Sequence, residues 1–463
     1  MWDEGLYVST MRASVERVKA IDPTARPAPQ LGRSAALNER LHRVIPGGAH
    51  TYAKGDDQFP EHLAPVIARG RGCRVWDVDE NEYIEYGMGL RAVTLGHGFP
   101  AVVDAVHARI AEGTNFVRPS AFELEVAETF LDLVSTVDMV KFTKDGSTAN
   151  SGALRLARAV TGRELVAICG DHPFYSYDDW AMVVTPVRAG IPDVVAESTL
   201  TFRYNDLGSV EALLERHPGQ IACFFLEPER TEAPSDRFLE RLRDLVHADG
   251  ALLVFDENVT GFRWDNGGAQ AVHSVTPDLS TFGKGMANGF ALSALAGRRE
   301  FMELGGLHHD QDRVFLLSTT HGAEHAGLAA GYATMNVYRS EPVIVTLDAQ
   351  GERLRAGVQE VAAARGVGDA FRVFGRGSCL FYGTSDASGA PSQGFRTLFL
   401  QETLSRGLLA PSFVISYSHS DADVDRTIEI VDEALAVYAD ALEGGVERFL
   451  DGRPVQSVYR ARN

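Results

Sequence analysis

The chain reads as an α/β protein built on a buried, mostly parallel sheet, and three observations predict it. First, ELVAIC (164–169), QIACFFLEP (220–228) and ALLVFDE (251–257) are continuous apolar runs bounded by polar turns. Strands buried on both faces, as in a parallel sheet covered by helices, have this composition. Second, helical periodicity runs through the segments between them, and alternating β and α elements argue for an open α/β sheet. Third, 463 residues with 45% hydrophobic and 23% charged side chains match a globular chain of two or three structural units.

Taken in order, residues 1–35 predict an extension: a helical stretch, then the Pro-rich IDPTARPAPQLG, a linker or an arm over a partner. RVWDVDENEYIEY (74–86) alternates apolar and polar residues around Asp79–Asn81, a hairpin signature. GLRAVTLGHGFP follows as a Gly-rich loop, and PAVVDAVHARIAEG (100–113) as an amphipathic helix. FELEVAETFLDLV (122–134) and NSGALRLARAVTG (150–162) predict helices around a strand at MVKFTK (139–144), with Gly162 as a helix stop. Beyond about 330 a long helix crosses ATMNVYRSEP, and shorter α+β elements run on from it. The expected division is an N-terminal arm (1–35), the first part of a smaller α+β domain (36–95), a large domain (96–335) and the rest of the smaller domain (336–463).

The balance of charge excludes some functions. A net charge of −19 disfavours a nucleic-acid backbone or an anionic membrane surface as partner. The four cysteines, Cys73, Cys169, Cys223 and Cys379, are scattered without a C-x-x-C pair, which fits reduced thiols better than disulfides or a zinc site. No metal site is expected. The first twenty residues carry acids and no apolar core of a secretory signal, and no run reaches the ~18 apolar residues of a membrane span, so a cytoplasmic location is expected. Only five lysines occur, Lys19, Lys54, Lys141, Lys144 and Lys284, so chemistry that needs a deprotonatable amine has few candidates.

Three strand ends carry the chemistry, because ligands of open α/β folds bind at the carboxyl ends of strands. Gly146, Ser147 and Thr148 open a helix directly after a strand, which makes an anion cradle; the plainer alternative is that Ser147 and Thr148 are N-caps. Asp256 ends an apolar run, where an acid is costly unless paired or at work; the alternative is a loop Asp capping a turn. Lys284 follows STF and lies between two glycines, which suggests close backbone packing rather than a solvated surface. An amine, an acid and an anion site together fit pyridoxal 5'-phosphate (PLP): Lys284 to carry it and move a proton, Asp256 opposite the ring nitrogen, and the helix start for the phosphate.

The segments PGG (46–48), the hairpin, LGH (95–97), RLARAVTGR (155–163), LEP (226–228), DExxTGFR (256–263) and PDLSTFGK (277–284) resemble, in this order, the fold-type I, class III PLP-dependent aminotransferases. The likeness is greatest to the glutamate-1-semialdehyde 2,1-aminomutase branch and covers residues about 36 to 440. It implies a central, mostly parallel seven-stranded sheet flanked by helices. It further implies that Lys284 is the cofactor lysine, Asp256 the acid on the ring nitrogen, and Gly146, Ser147 and Thr148 the phosphate cup. Thr320 would reach the phosphate of a neighbouring subunit in a homodimer with shared active sites. Asn258 stands where the family usually stacks an apolar residue on the ring, and Phe174 is the candidate for the opposite face, with His172 the weaker one. Lys54 stands where the aminomutases carry a substrate-binding Arg. Leu90 replaces an expected Trp beside an added Arg91, and Ile415 falls where a Glu is expected.

With the cofactor set complete and the substrate residues changed, glutamate 1-semialdehyde is not the expected substrate. The leading expectation is an aminotransferase moving an amino group from a donor such as L-glutamate to a keto or aldehyde acceptor, in secondary metabolism or sugar modification, with Lys54 and Arg91 near an anionic group. Surface or inter-subunit ion pairs are the competing reading of those two residues. An intramolecular aminomutase is the alternative, and a non-catalytic PLP-fold binding protein the third.

Overall fold

The computed structural model describes residues 29–172 and 174–462; most of the expected N-terminal arm therefore lies outside the described residues. What is described of it joins a helix, Gly32–Val44. The strands are, in chain order, Ile67–Arg71 (β1), Arg74–Asp77 (β2), Glu82–Glu85 (β3), Met139–Thr143 (β4), Leu165–Cys169 (β5), Thr199–Phe202 (β6), Ile221–Leu226 (β7), Leu252–Asp256 (β8), Leu279–Phe282 (β9), Ser293–Gly297 (β10), Phe371–Arg376 (β11), Cys379–Thr384 (β12), Leu408–Leu409 (β13) and Phe413–Val414 (β14). They form a seven-stranded sheet ordered β4-β10-β9-β8-β7-β5-β6, a four-stranded sheet β1-β2-β3-β13 and a three-stranded sheet β11-β12-β14.

The large sheet is parallel except at β10, which runs antiparallel to both β4 and β9. Strands β7 and β8 are buried along their whole length, as their unbroken apolar sequences predict. The helices Gly146–Thr161 and Phe238–Asp249 each present an apolar stripe toward the sheet and end on a left-handed glycine, Gly162 or Gly250. That conformation suits a residue without a Cβ.

The predicted hairpin is β2–β3. The Asp77 carboxylate accepts from the backbone N–H of Asp79 and Asn81 at 2.9 and 2.8 Å and closes its turn. Two-residue β13, more than 300 residues later, pairs in parallel with β3, so distant parts of the chain share one sheet. The helices Val343–Ala364, Gln393–Ser405 and Asp421–Gly444 pack around β11-β12-β14. Among the described residues no helix is long and apolar enough to cross a membrane.

Candidate active site

Register brings the site together. In the parallel sheet Leu226 pairs with Phe255 and Asp256 with Thr281, so the carboxyl ends of β7, β8 and β9 lie side by side. Glu227 follows the first, Asp256 ends the second, and Lys284 comes two residues after the third. The helix Gly146–Thr161 starts where β4 ends and lies over β7 to β9, bringing Asn150 to the same edge.

Asp256 is buried and fully engaged. One carboxylate oxygen accepts from Asn150 Nδ2 at 2.9 Å; the other accepts from the backbone N–H and Nδ2 of Asn258 at 2.9 and 2.7 Å. The bond from the Asn258 N–H is the turn cap of the alternative reading, and Asn150 engages the other oxygen of the same carboxylate. Thr281 Oγ1 donates to Asn150 Oδ1 at 2.5 Å, and Asn150 Nδ2 also donates to the Tyr175 carbonyl at 2.6 Å. Burial raises the Asp256 pKa, and the positive charge of Lys284 works against that shift.

Lys284 sits in the left-handed region (φ 43°), a conformation in which non-glycine residues are held only by their surroundings. The packing is tight on both sides. A Cβ on Gly283 would lie 2.5 Å from Asn258 Oδ1, and one on Gly285 would lie 2.9 Å from Thr94 Cγ2. The side chain is half-buried, and none of the described residues hydrogen-bonds its Nζ. Burial lowers its pKa; Asp256 and Glu227 oppose the shift, and Arg91 and Arg230 reinforce it.

At the helix start, Ser147 is buried while Gly146 and Thr148 are half-buried. The N-cap is Asp145: its carboxylate accepts from Thr148 N at 2.8 Å and Thr148 Oγ1 at 3.0 Å. The reading of Ser147 and Thr148 as the caps is thereby replaced, and the first-turn N–H groups of Gly146 and Ser147 have no capping side chain among the described residues. A Cβ on Gly146 would come within 2.6 Å of Asn258 Oδ1, so Asn258 lies between the helix start and the lysine loop.

The remaining candidates separate. His172 is buried, accepting from the Glu227 backbone N–H at 3.2 Å and lying 3.2 Å from Tyr175 Oη; burial and Arg230 push its pKa down to about 3. Phe174 is half-exposed. Arg91 is half-buried, its guanidinium 4.9 Å from the Phe381 ring centroid. Lys54 is exposed and lines a cleft of about 220 Å³ with Asn38, Leu41 and His42, which contains none of the residues around Lys284. Thr320 is exposed, its carbonyl accepting from Asn115 Nδ2 at 3.0 Å. Lys144 is engaged elsewhere, pairing with Glu324 at 2.6 Å.

Three neighbours were not singled out by sequence reasoning. Asn150 occupies the buried stripe of its helix with Ala153, Leu154 and Ala157, a polar residue at core spacing, and that was its signal. Glu227 directly follows an apolar strand, one position beyond where Asp256 stands in its own, and is buried 2.9 Å from Arg230. Arg230 had no sequence signal of its own beyond lying three residues after Glu227, with which it pairs locally.

Residues 52–435 match the family model for aminotransferase class III. The chain belongs to this family. It is 32% identical over 438 residues to a glutamate-1-semialdehyde 2,1-aminomutase of Desulforamulus reducens, covering 89% of this chain and 99% of that one. Among solved structures, an omega-transaminase from Sphaerobacter thermophilus superposes with a TM-score of 0.78 at 29% identity, covering 87% of this chain and 96% of that one. The PLP-bearing FumI protein of Sphingopyxis reaches 0.81 at 27% identity, over 91% and 99%. The class III aminotransferase is thus a PLP-dependent enzyme with the fold-type I architecture its motifs imply. The residues fit the cofactor: an amine with no hydrogen-bond partner among the described residues, a buried carboxylate held by two amides, and a helix start whose first two N–H groups are left open by its Asp145 cap lie at one sheet edge.

Proposed function

We propose that the enzyme transfers an amino group from a donor such as L-glutamate to a keto or aldehyde acceptor, with PLP carried on Lys284. The observation that carries this is the proximity of a half-buried Lys284 amine, without a hydrogen-bond partner among the described residues, to a buried Asp256 whose orientation Asn150 and Asn258 hold. When bound, PLP supplies an electron sink for the substrate carbon that loses its proton. Lys284 Nζ, its pKa lowered by burial, takes that proton and returns it. Asp256 would face the ring nitrogen, whose positive charge would offset the carboxylate's burial penalty. The N–H groups of Gly146 and Ser147, with Thr148, take the phosphate. Phe174 and Asn258 would flank the ring, Thr320 would serve the site of a second subunit in a homodimer, and Arg91 would be the substrate side chain, Lys54 of the same chain lying in a separate cleft. A cytoplasmic location belongs to the same proposal.

The second reading, an intramolecular aminomutase, is favoured by the likeness to the D. reducens glutamate-1-semialdehyde 2,1-aminomutase. Turnover that requires no separate amino donor would select it. Borohydride reduction followed by peptide mapping should fix the cofactor on Lys284, and L-glutamate should convert the cofactor to its amine form. Lys284→Ala should lower turnover by at least a thousandfold. Near-normal turnover in that variant, or a protein that stays colourless with added PLP, would refute the assignment.

A further inference from the structure

The segment that follows β3 contains an unusual backbone. Met88, Gly89, Leu90 and Arg91 have φ values of 41°, 60°, 59° and 72°, one complete left-handed turn in which only Gly89 lacks a Cβ. Left-handed helix is unfavourable by roughly 1–2 kcal/mol for each non-glycine residue, so the surroundings must hold the turn. They do. The loop packs on the lysine loop, with Thr94 Oγ1 donating to the Gly285 carbonyl at 3.2 Å and Asn288 bonding to Leu95 N and the Gly96 carbonyl at 2.9 and 3.0 Å.

The strongest hold is Arg263. It is 1% exposed, yet its hydrogen bonds all go to carbonyls: Arg91 at 2.8 Å, and Ser378 and Ile415 at 3.2 Å each. Among the described residues no carboxylate pairs with it. A buried cation with neutral partners only is expensive to fold around and calls for a compensating role. Arg91 likewise has no carboxylate partner among the described residues; its guanidinium rests on Phe381, and its charge is felt at Lys284.

We infer that Arg91 is the specificity-determining residue of this enzyme, receiving a carboxylate or phosphate of the substrate, and that Arg263 is the positioning residue that sets it there through the left-handed turn. The inference rests on the aminotransferase reading and adds the substrate class: an amine or carbonyl compound bearing a carboxylate or phosphate, in preference to one without an anionic group. Lys54, in a separate cleft, is not needed for this recognition within one chain.

The test compares wild type with Arg91→Gln, Arg263→Lys and the double variant in the PLP-loaded full-length protein. Half-transamination by L-glutamate and by 1-phenylethylamine, which carries no anionic group, is followed spectroscopically, and binding of succinate and of glycerol phosphate by calorimetry. The expected result is a tenfold or greater drop in the glutamate-to-phenylethylamine ratio for Arg91→Gln, through KM more than kcat. Arg263→Lys should lower the same ratio, and the double variant should be no worse than Arg91→Gln alone, as two residues acting through one contact require. Loss of succinate binding in Arg91→Gln identifies a carboxylate, and loss of glycerol phosphate binding a phosphate. Should Arg263→Lys fail to fold, Phe381→Leu takes its place and should also lower the ratio. An unchanged ratio in Arg91→Gln, with both anions bound as in wild type, overturns the inference. Failure of the aminotransferase reading shows differently, as wild type converting with no amine, and the calorimetric arm still decides the role of Arg91.

Discussion

Asn150 does at the scale of one side chain what the lysine and the acid cannot do for themselves. Its two amide ends tie Asp256, Thr281 and the Tyr175 carbonyl into one buried network. A hydrogen bond to a charged group contributes about 1.5–3 kcal/mol. Asn150→Ala is therefore expected to lower turnover about 10–100-fold while the protein stays folded, measured by initial rates beside circular dichroism. His419 offers a second test. It is buried, tilted against Tyr86 with ring centroids 4.4 Å apart, and its Nδ1 accepts from the Ser416 backbone N–H at 3.0 Å. Burial pushes its pKa down from 6.5 to about 4. The folded state thus resists a proton that the unfolded chain accepts, so the contribution of His419 is complete above about pH 6.5 and is lost as pH falls toward 4. The stability advantage of wild type over His419→Asn should shrink across that window, by an amount on the order of 3 kcal/mol, in urea titrations at several pH values.

Among the elements, the helix Val343–Ala364 shows how packing overrules propensity. Gly351 lies within its 22 residues, where helix propensity alone says that alanine should stabilise by about 1 kcal/mol. A Cβ at Gly351 would overlap the backbone carbonyl of Gly377 in the turn between β11 and β12. Backbone yields less readily than a side chain, so Gly351→Ala should destabilise by about 2 kcal/mol or more. A raised melting temperature in that variant would show that the helix can move away from the turn. The left-handed turn at 88–91 is the complementary case: local preference is again overruled, and the residue delivered is Arg91.

Over the whole molecule, early and late segments close on each other. Arg74 in β2 donates to Glu82 at 2.8 Å and to the buried Asp423 at 2.6 Å, the latter in the first turn of Asp421–Gly444. Asp423 also accepts from Ser420 N and Oγ, and these bonds together with Arg74 hold its pKa low against burial. Arg74 is itself partly exposed, which discounts the pair. Arg74→Ala should cost about 1–2 kcal/mol, and most of that should vanish when Asp423→Asn is added, because the penalty is the carboxylate left unpaired. A double-mutant cycle by chemical denaturation measures it.

Local patterning determined the elements, since strand and helix periodicities are properties of short windows: β7, β8 and the helix after β4 stand where the apolar runs and the Gly-rich start put them. The motifs around Lys284, Asp256 and Gly146–Thr148 were legible for the same reason, each being a strand end with its own residues. Only the tertiary structure decided that Glu227 and Arg230 join them, that Asn150 orients Asp256, and that Lys54 and Arg91 part company. Those facts depend on sheet register, on one helix crossing three strands, and on a buried guanidinium gathering carbonyls from positions 91, 378 and 415. No window of sequence contains contacts between residues so far apart in the chain, so they exist only once the chain has closed on itself.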